Sequence, residues 1–339
     1  MLVLSVSEAD RLRLRDQVGA PGWVMPGASL DFDFQNGRYW QSRFGCRSPR
    51  ACLTVTRSTP ETSLLPTSAA GATYLTFAGN TAAIVPGVGI QLYEQGHSNF
   101  LLNSTAPATQ TTASLPAGSY TLWVNGTGSA TSAPGSATGS GFGTATNGSP
   151  NSFTLTGAGT VVVTVSGPLN AFQLENGTFG TPLIVTGGAI AARDGDKVFV
   201  NGFSSASPSF TAFVSGTPYA PAAYATVQTP LQIDPGNNGP PRYDFDRQAG
   251  TGVDPSQVTV WDTGQFGKTL LSVTYPAKAA FVFNGGAVNP SFGVSSAFNP
   301  ARLVIGANGN FVHQWNGIVA RVAFFPQPLP AAEMQALSR

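Results

Sequence analysis

The segment Gly89-Ile90-Gln91-Leu92-Tyr93-Glu94-Gln95-Gly96-His97-Ser98-Asn99-Phe100-Leu101-Leu102-Asn103 opens the stretch whose reading decides the fold. It continues through Leu115-Pro116-Ala117-Gly118-Ser119-Tyr120-Thr121-Leu122-Trp123-Val124 and closes on Val161-Val162-Val163-Thr164-Val165-Ser166-Gly167 and Ala171-Phe172-Gln173-Leu174-Glu175. Apolar and polar residues alternate in short runs broken by Gly, Pro, Asn and Ser, the pattern of antiparallel strands with one buried face. Val161, Val163 and Val165 point one way and Val162 and Thr164 the other, and β-branched side chains suit a packed sheet. Trp123 and Phe172 read as core. Residues 128–150 read as a strand between glycine-rich turns. The whole stretch is expected to form a jelly-roll sandwich, with the residues N-terminal to it as a mount and those C-terminal to it as a second sandwich.

Upstream, Ser29-Leu30-Asp31-Phe32-Asp33-Phe34 alternates strictly and turns at Asn36-Gly37 into Arg38-Tyr39-Trp40. Asn-Gly between alternating runs predicts a hairpin. Residues 1–28 hold a helix or strand candidate, Ser7 to Val18, and then a Gly/Pro-rich break. They read as an attachment arm that orders against a partner. Downstream, Thr186-Gly187-Gly188 is the expected junction. Strands are expected at Arg193–Val200, Phe210–Val214, Val258–Trp261, Leu270–Tyr275 and Ala279–Phe283, with a long loop from Pro230 to Asp254. The four Asn-x-Ser/Thr sequences at Asn103, Asn125, Asn147 and Asn176 read as turns. The expected architecture is all-β: an arm over 1–28, a jelly-roll domain with an N-terminal hairpin over 29–186, and a second sandwich over 187–339 ending in a short helix.

Composition limits the chemistry. The chain has 339 residues, enough for two or three domains. Only 10% are charged, against about 25% in an ordinary domain, and the net charge is +1. Such a surface is kept in water by hydroxyls, amides and backbone, and nucleic-acid binding is not expected. No run reaches the ~18 apolar residues of a membrane span. Met1-Leu2-Val3-Leu4-Ser5-Val6 is too short for a secretory signal, so synthesis in a bacterial cytoplasm and release by lysis is expected. No nucleophile elbow, zinc-binding histidine pair or phosphate loop is present, and there are two histidines in all. No enzyme activity, metal or cofactor is therefore expected. The paired acids Asp31/Asp33, Asp194/Asp196 and Asp244/Asp246 read as solvated strand faces and surface ion pairs, the last beside Arg247. Cys46 and Cys52 are either two thiols or a small loop-closing disulfide, and both readings stay open.

Several of these residues carry a family resemblance. Leu30 to Trp40, Thr56-Arg57-Ser58, the Gly89 to Leu102 run, Ala117-Gly118-Ser119-Tyr120-Thr121-Leu122, Phe172-Gln173-Leu174-Glu175-Asn176-Gly177 and Arg193 to Val200 follow the motif order of virion proteins of tailed phages, prophages and gene transfer agents. The chain resembles that family over most of residues 29–339. It lacks the arginine of the family's Glu-Gln-Arg-Thr-Asn motif. From Leu303-Val304-Ile305-Gly306 through Trp315-Asn316-Gly317-Ile318 to Pro330–Leu337, the end resembles the close of a concanavalin A-like (laminin-G-like) sandwich, and the first sandwich resembles a carbohydrate-binding module. The resemblance implies a spike or fibre subunit on a virion surface. Such a subunit would be held to a capsid or tail protein by its arm, be homo-oligomeric and by analogy trimeric, and bind host surface polysaccharide. A component with no ligand and a polysaccharide depolymerase are the alternatives. Glycan binding needs an aromatic face beside amides and carboxylates. Trp261-Asp262, Tyr243-Asp244 and Trp315-Asn316 have that form. Asp262 and Asp234 are carboxylates that a loop calcium could use, though their spacing marks no motif.

Overall fold

The computed structural model describes residues 20–42, 48–94, 96–219, 227–236, 242–247, 252–254, 259–262, 267–275, 278–284, 286–287, 289–292, 298–308 and 313–339. The chain is all-β: among the described residues only Pro49–Cys52 and Ala331–Leu337 are helical. None of the described helices is long and apolar enough to cross a membrane. The chain divides into two compact units, one of Arg57–Ala83 and Glu94–Gly195, the other of Met1–Thr56, Ile84–Tyr93 and Asp196–Arg339.

The unit built on Glu94–Gly195 is a sandwich. A six-stranded sheet runs in the order Thr138–Ser140, Asn151–Gly157, Gly118–Gly126, Leu169–Asn176, Ser98–Asn99, Ala191–Ala192. A four-stranded sheet runs Thr144–Thr146, Ser129–Pro134, Val161–Ser166, Gln110–Thr111. Alternation decides what each strand buries. Tyr120, Leu122, Val124, Phe153, Leu155, Phe172 and Leu174 of the first sheet meet Ala130, Ala145, Val161 and Val163 of the second in one core. Trp123 points to the opposite face, where Leu64, Ala171 and Leu183 cover it. Residues 128–150 supply three short strands rather than one. At Gly126 the strand bulges against Leu169. Its φ is +140°, and a Cβ there would stand 2.6 Å from the Pro168 carbonyl oxygen, so only glycine fits. Asn103, with φ of 52°, is a left-handed turn residue as expected, whereas Asn125 and Asn176 end strands.

The other unit is also a sandwich. Its nine-stranded sheet runs Arg38–Gln41, Leu30–Asp33, Gly317–Phe325, Phe210–Pro218, Lys268–Thr274, Lys278–Phe283, Asn289–Phe292, with Gly89–Leu92 and Ile84–Val85 branching from Gly317–Phe325. Its seven-stranded sheet runs Gly252–Asp254, Thr259–Asp262, Tyr243–Arg247, Gln228–Asp234, Arg302–Ile305, Lys197–Val200, Leu53–Thr56. Phe210 joins the two sheets, its ring 5.2 Å from Phe324 and 5.1 Å from Tyr243. The C-terminal helix lays Met334 and Leu337 on the far side of the large sheet against Phe213, Leu270, Val282 and Phe325. Pro330 occupies the N-cap position of that helix.

The structure corrects several expectations. The Leu30–Gln41 hairpin forms as read, but it pairs with Gly317–Phe325 and so belongs to the Asp196–Arg339 unit, not to a 29–186 domain. Gly89–Leu92 pairs with the same strand. The boundary falls at Gly195/Asp196 rather than at 186–188. Residues 230–254 are not one loop: Gln228–Asp234 and Tyr243–Arg247 are paired strands, with Pro230 tolerated at a register shift. Of the expected arm, Val24, Met25 and Ala28 are packed in the core of the same unit, and Ser7–Val18 lies outside the described residues.

Of the acids expected on solvated strands, Asp194 is exposed, but Asp33, Asp196, Asp244 and Asp246 are buried. Asp31 is fully buried. Arg321 Nε and Nη2 donate to it at 2.8 and 2.5 Å, and the Met25 amide donates at 2.8 Å. This ties the hairpin to the strand beside it. Removing one partner of such a pair strands a charge without water and typically costs about 3–5 kcal/mol. Arg321→Met is therefore expected to lower unfolding stability by about 3 kcal/mol, and Asp31→Asn with Arg321→Met to recover part of that loss, both read from urea denaturation midpoints.

Candidate functional site

Strand alternation separates the residues that the sequence pairs. In Tyr243-Asp244-Phe245-Asp246 the aromatic rings face the core and the carboxylates face the other way. Tyr243 is buried with its ring 5.0 Å from Phe298. Trp315 and Asn316 are completely buried. The Trp315 indole N–H donates to the Ile318 carbonyl at 3.4 Å, and the Asn316 carbonyl accepts from the Tyr219 amide at 2.8 Å. Tyr243 and Trp315 are thus core residues with no face for a sugar, because each supplies apolar area that the sandwich needs. Trp261 and Asp262 lie on the Thr259–Asp262 strand beside Tyr243–Arg247, and their side chains are outside the described residues. Cys52 is buried at the end of the Pro49–Cys52 helix, while Cys46 lies outside the described residues.

Asp244 and Asp246 open a different site. Residues directly opposite one another across strands share a face. Asp244 faces Gln232, Gln232 faces Val304, Val304 faces Phe199 and Phe199 faces Thr54. One residue pair further along, Asp234 faces Arg302. One face of the seven-stranded sheet is thereby traced across five strands, polar at Asp244 and Gln232 and apolar at buried Val304 and at Phe199. It is closed at one end and open at the other: Gln232, Asp234, Asp244 and Asp246 are buried, Phe199 is half-buried and Thr54 is exposed. The charges are matched across it. Arg302 Nη2 donates to Asp234 at 2.6 Å, and its guanidinium carbon stands 5.8 Å from the Phe199 ring centre. Gln232 Nε2 and the Gly236 amide also donate to Asp234, at 2.6 and 2.7 Å. Arg242 Nε donates to Asp244 Oδ2 at 2.7 Å and is its counter-ion; the side chain of Arg247, expected in that role, is outside the described residues. Thr229 Oγ1 donates to Asp246 at 2.5 Å. Asp244 Oδ1 is buried and has no hydrogen-bond partner among the described residues.

Burial sets the proton affinities. It pushes the Asp244 carboxyl up to about 6 against the pull of Arg242. It raises Asp246 well above its ordinary value, helped by the Asp244 charge beside it. Among the described residues no group of three or more His, Cys, Asp or Glu side chains could hold a metal ion.

The resemblance motifs converge on a second buried network, in the Glu94–Gly195 unit. Glu175 is completely buried. It accepts from His97 Nδ1 at 3.0 Å, Trp123 Nε1 at 3.2 Å, Gln173 Nε2 at 2.8 Å, and the Thr181 amide and hydroxyl at 2.7 and 2.5 Å. Glu94 lies 3.2 Å from His97 Nε2, and Arg193 donates to Thr181 Oγ1 at 3.0 Å. Burial would lower the His97 pKa, but the hydrogen bonds to Glu175 and Glu94 outweigh it and raise it to about 9. Burial would likewise raise Glu175, but His97 and Thr181 hold it below its ordinary value. Every member but the partly exposed Glu94 is buried, so the network is a fold-defining tie rather than a binding surface.

No protein-family model matches the chain, and no curated protein does. Among solved structures it is similar to the Ruminococcus gnavus IT-sialidase CBM40 bound to α2,6 sialyllactose, at 14% identity over 39% of this chain and 83% of that one, TM-score 0.29. The same module bound to α2,3 sialyllactose gives 12%, 41%, 93% and 0.30. The NanB sialidase from Streptococcus pneumoniae gives 13%, 40%, 25% and 0.26. Likenesses with TM-scores this low carry no argument about function.

The two networks respond oppositely to pH. His97 contributes stability that is complete below 6.5 and is lost as pH rises through about 9. Glu175 contributes stability present above 4.5 and lost as pH falls through its lowered value. The Glu94–Gly195 unit should therefore weaken at both extremes, and His97→Gln should remove the alkaline limb. Urea-dependent proteolysis within residues 94–195 at pH 5, 7 and 9.5 checks this. Asp244 runs the other way: its raised pKa gives stability complete below 3.8 and lost as pH rises through about 6. Asp244→Asn is expected to raise the urea midpoint at pH 7.5 and leave it unchanged near pH 4.

Proposed function

We propose that this protein is a non-enzymatic glycan-binding subunit of a phage or gene-transfer-agent virion, displayed on the particle surface as a spike or fibre that touches host polysaccharide. The observation that carries the glycan half is the face of the seven-stranded sheet that holds Asp244 and Gln232. It sets a half-buried aromatic ring beside a guanidinium, carboxylates, a carboxamide and an exposed hydroxyl, the groups that bond sugar hydroxyls and receive the C–H face of a sugar ring. The motif order from Leu30 to Val200 supports the virion half. A chain with so few charges also suits a contact surface made of hydroxyls and amides. Its further partners are a capsid or tail protein at the N-terminal arm and other copies of itself, as a trimer.

A second reading, a polysaccharide depolymerase, is favoured by one observation. Asp246 and Asp244 sit two residues apart on one face of one strand, and burial raises both carboxyls, as an acid–base pair of carboxyls requires. Against it, both carboxyls are buried and engaged by Thr229 and Arg242.

A glycan array and capsule-binding assay at micromolar protein is expected to give binding without release of reducing ends. Uniform absence of binding rejects the glycan half. Reducing-end release that Asp246→Asn abolishes establishes the depolymerase instead. Deleting the gene should give intact particles that fail to adsorb. Unassembled particles would make the protein a structural part.

A further inference from the structure

We infer that Thr181 and Gln173 join covalently in the folded chain: the Thr181 hydroxyl attacks the Gln173 carboxamide, an ester forms between the two side chains, and ammonia leaves. The bond is a modification of the chain by itself and is independent of any glycan. Its site is the buried network around Glu175. Gln173 and Glu175 are two residues apart on the Leu169–Asn176 strand and so share one face. Gly177, with φ of +117°, turns the chain after that strand. Thr181 then comes back onto the same face, where it bonds Glu175.

The groups that the reaction needs meet at one carboxylate. Thr181 Oγ1 donates to Glu175 Oε2 at 2.5 Å, and Gln173 Nε2 donates to Glu175 Oε1 at 2.8 Å. Nucleophile and leaving nitrogen thus lie on the two oxygens of a single base. The Gln173 carbonyl oxygen accepts from the Ile184 amide at 2.6 Å, the donor that an oxyanion forming there requires. These partners fix which way the carboxamide points, since an ionised Glu175 only accepts and the Ile184 N–H only donates. Gln173 Nε2 also stands 3.4 Å from the Thr181 carbonyl oxygen, so the carboxamide lies alongside the residue that attacks it.

The step balances with no cofactor and no oxidant. Thr181 Oγ bonds to Gln173 Cδ while Glu175 takes the hydroxyl proton. The tetrahedral carbon then expels Nε2, which receives that proton from the Glu175 carboxyl and departs as ammonia. Glu175 ends as the carboxylate it began as. A carboxylate is a weak base, and His97 and Thr181 hold this one below its ordinary value. Fixed placement compensates, because partners already in contact need no encounter. His97 Nδ1 at 3.0 Å from Oε2 and Trp123 Nε1 at 3.2 Å from Oε1 keep the carboxylate in position. Thr181, Gln173 and Glu175 are all completely buried, which keeps bulk water from the carbonyl and from the product.

Mass spectrometry of the full chain is the test. Glu175 lies between the two residues, and the next glutamates on either side are Glu94 and Glu333. The purified protein is denatured and cleaved at glutamate under mildly acidic conditions, where an ester survives. Peptides 95–175 and 176–333 are expected to stay joined, at a mass one ammonia below their sum, and to part on treatment with hydroxylamine. Thr181→Ser should keep the join and Thr181→Val should abolish it. Should Thr181→Val not fold, the wild-type peptides still decide the matter. Separate wild-type peptides of full mass overturn the inference. Loss of ammonia within one peptide and without a join overturns it too, because that is the mark of a succinimide at an Asn-Gly pair. A join that persists in Thr181→Val overturns the assignment to Thr181.

Discussion

A carboxylate taken out of water must be given its hydrogen bonds by the protein, and that requirement organises both units. Glu175 collects five donors from strand, loop and side-chain sources. Asp31 is held by Arg321 and the Met25 amide, Asp234 by Arg302, Gln232 and Gly236. Arg57, itself buried, pairs with Glu61 at 2.5 Å and donates to the carbonyls of Thr59, Ala78 and Thr81. Each of these ties draws separate segments of the chain into one arrangement. A half-made network would leave a charge unsatisfied, so the alternatives to the native pairing are disfavoured.

This accounts for an otherwise odd composition. With so few ionised groups, much of the charge lies inside, in fixed pairs, and the exposed strand faces carry threonine, serine and glycine. The outer face of Ser129–Pro134 shows the result: Thr131 and Thr144 bond each other across strands at 2.8 Å where a charged domain would carry lysine and glutamate. Such a surface neither repels nor attracts over distance.

Much of the fold was legible. Val161, Val163 and Val165, and the Asn36-Gly37 turn, each state a local rule that the structure follows. The candidate site was less so. Asp244 is visible as one of a pair of acids two residues apart, but Tyr243 and Trp315 read as sugar platforms, because sequence reports an aromatic and not the face it occupies. Phe199 and Arg302 escape a reading by sequence. Their signal is weak: in Lys197-Val198-Phe199-Val200 the aromatic falls on the side opposite the two valines, where a solvated strand would place a polar residue. Asp31 and Asp33 read as exposed for the same reason, since alternation says which residues share a face but not what covers it.

What the sequence by itself determined is the period: strands of alternating polarity, the turns between them, the terminal helix and the scarcity of charge. These depend on neighbours within a few residues, where backbone geometry is decided by sterics and turn chemistry. Which strand lies beside which was decided only in three dimensions. Leu30–Asp33 joins Gly317–Phe325, and Gly89–Leu92 leaves the sandwich whose motif it begins to join the same strand. Strand pairing is a contest among distant partners, settled by which arrangement buries the apolar faces and finds a donor for every buried carboxylate, and no local window of sequence holds both sides of that contest.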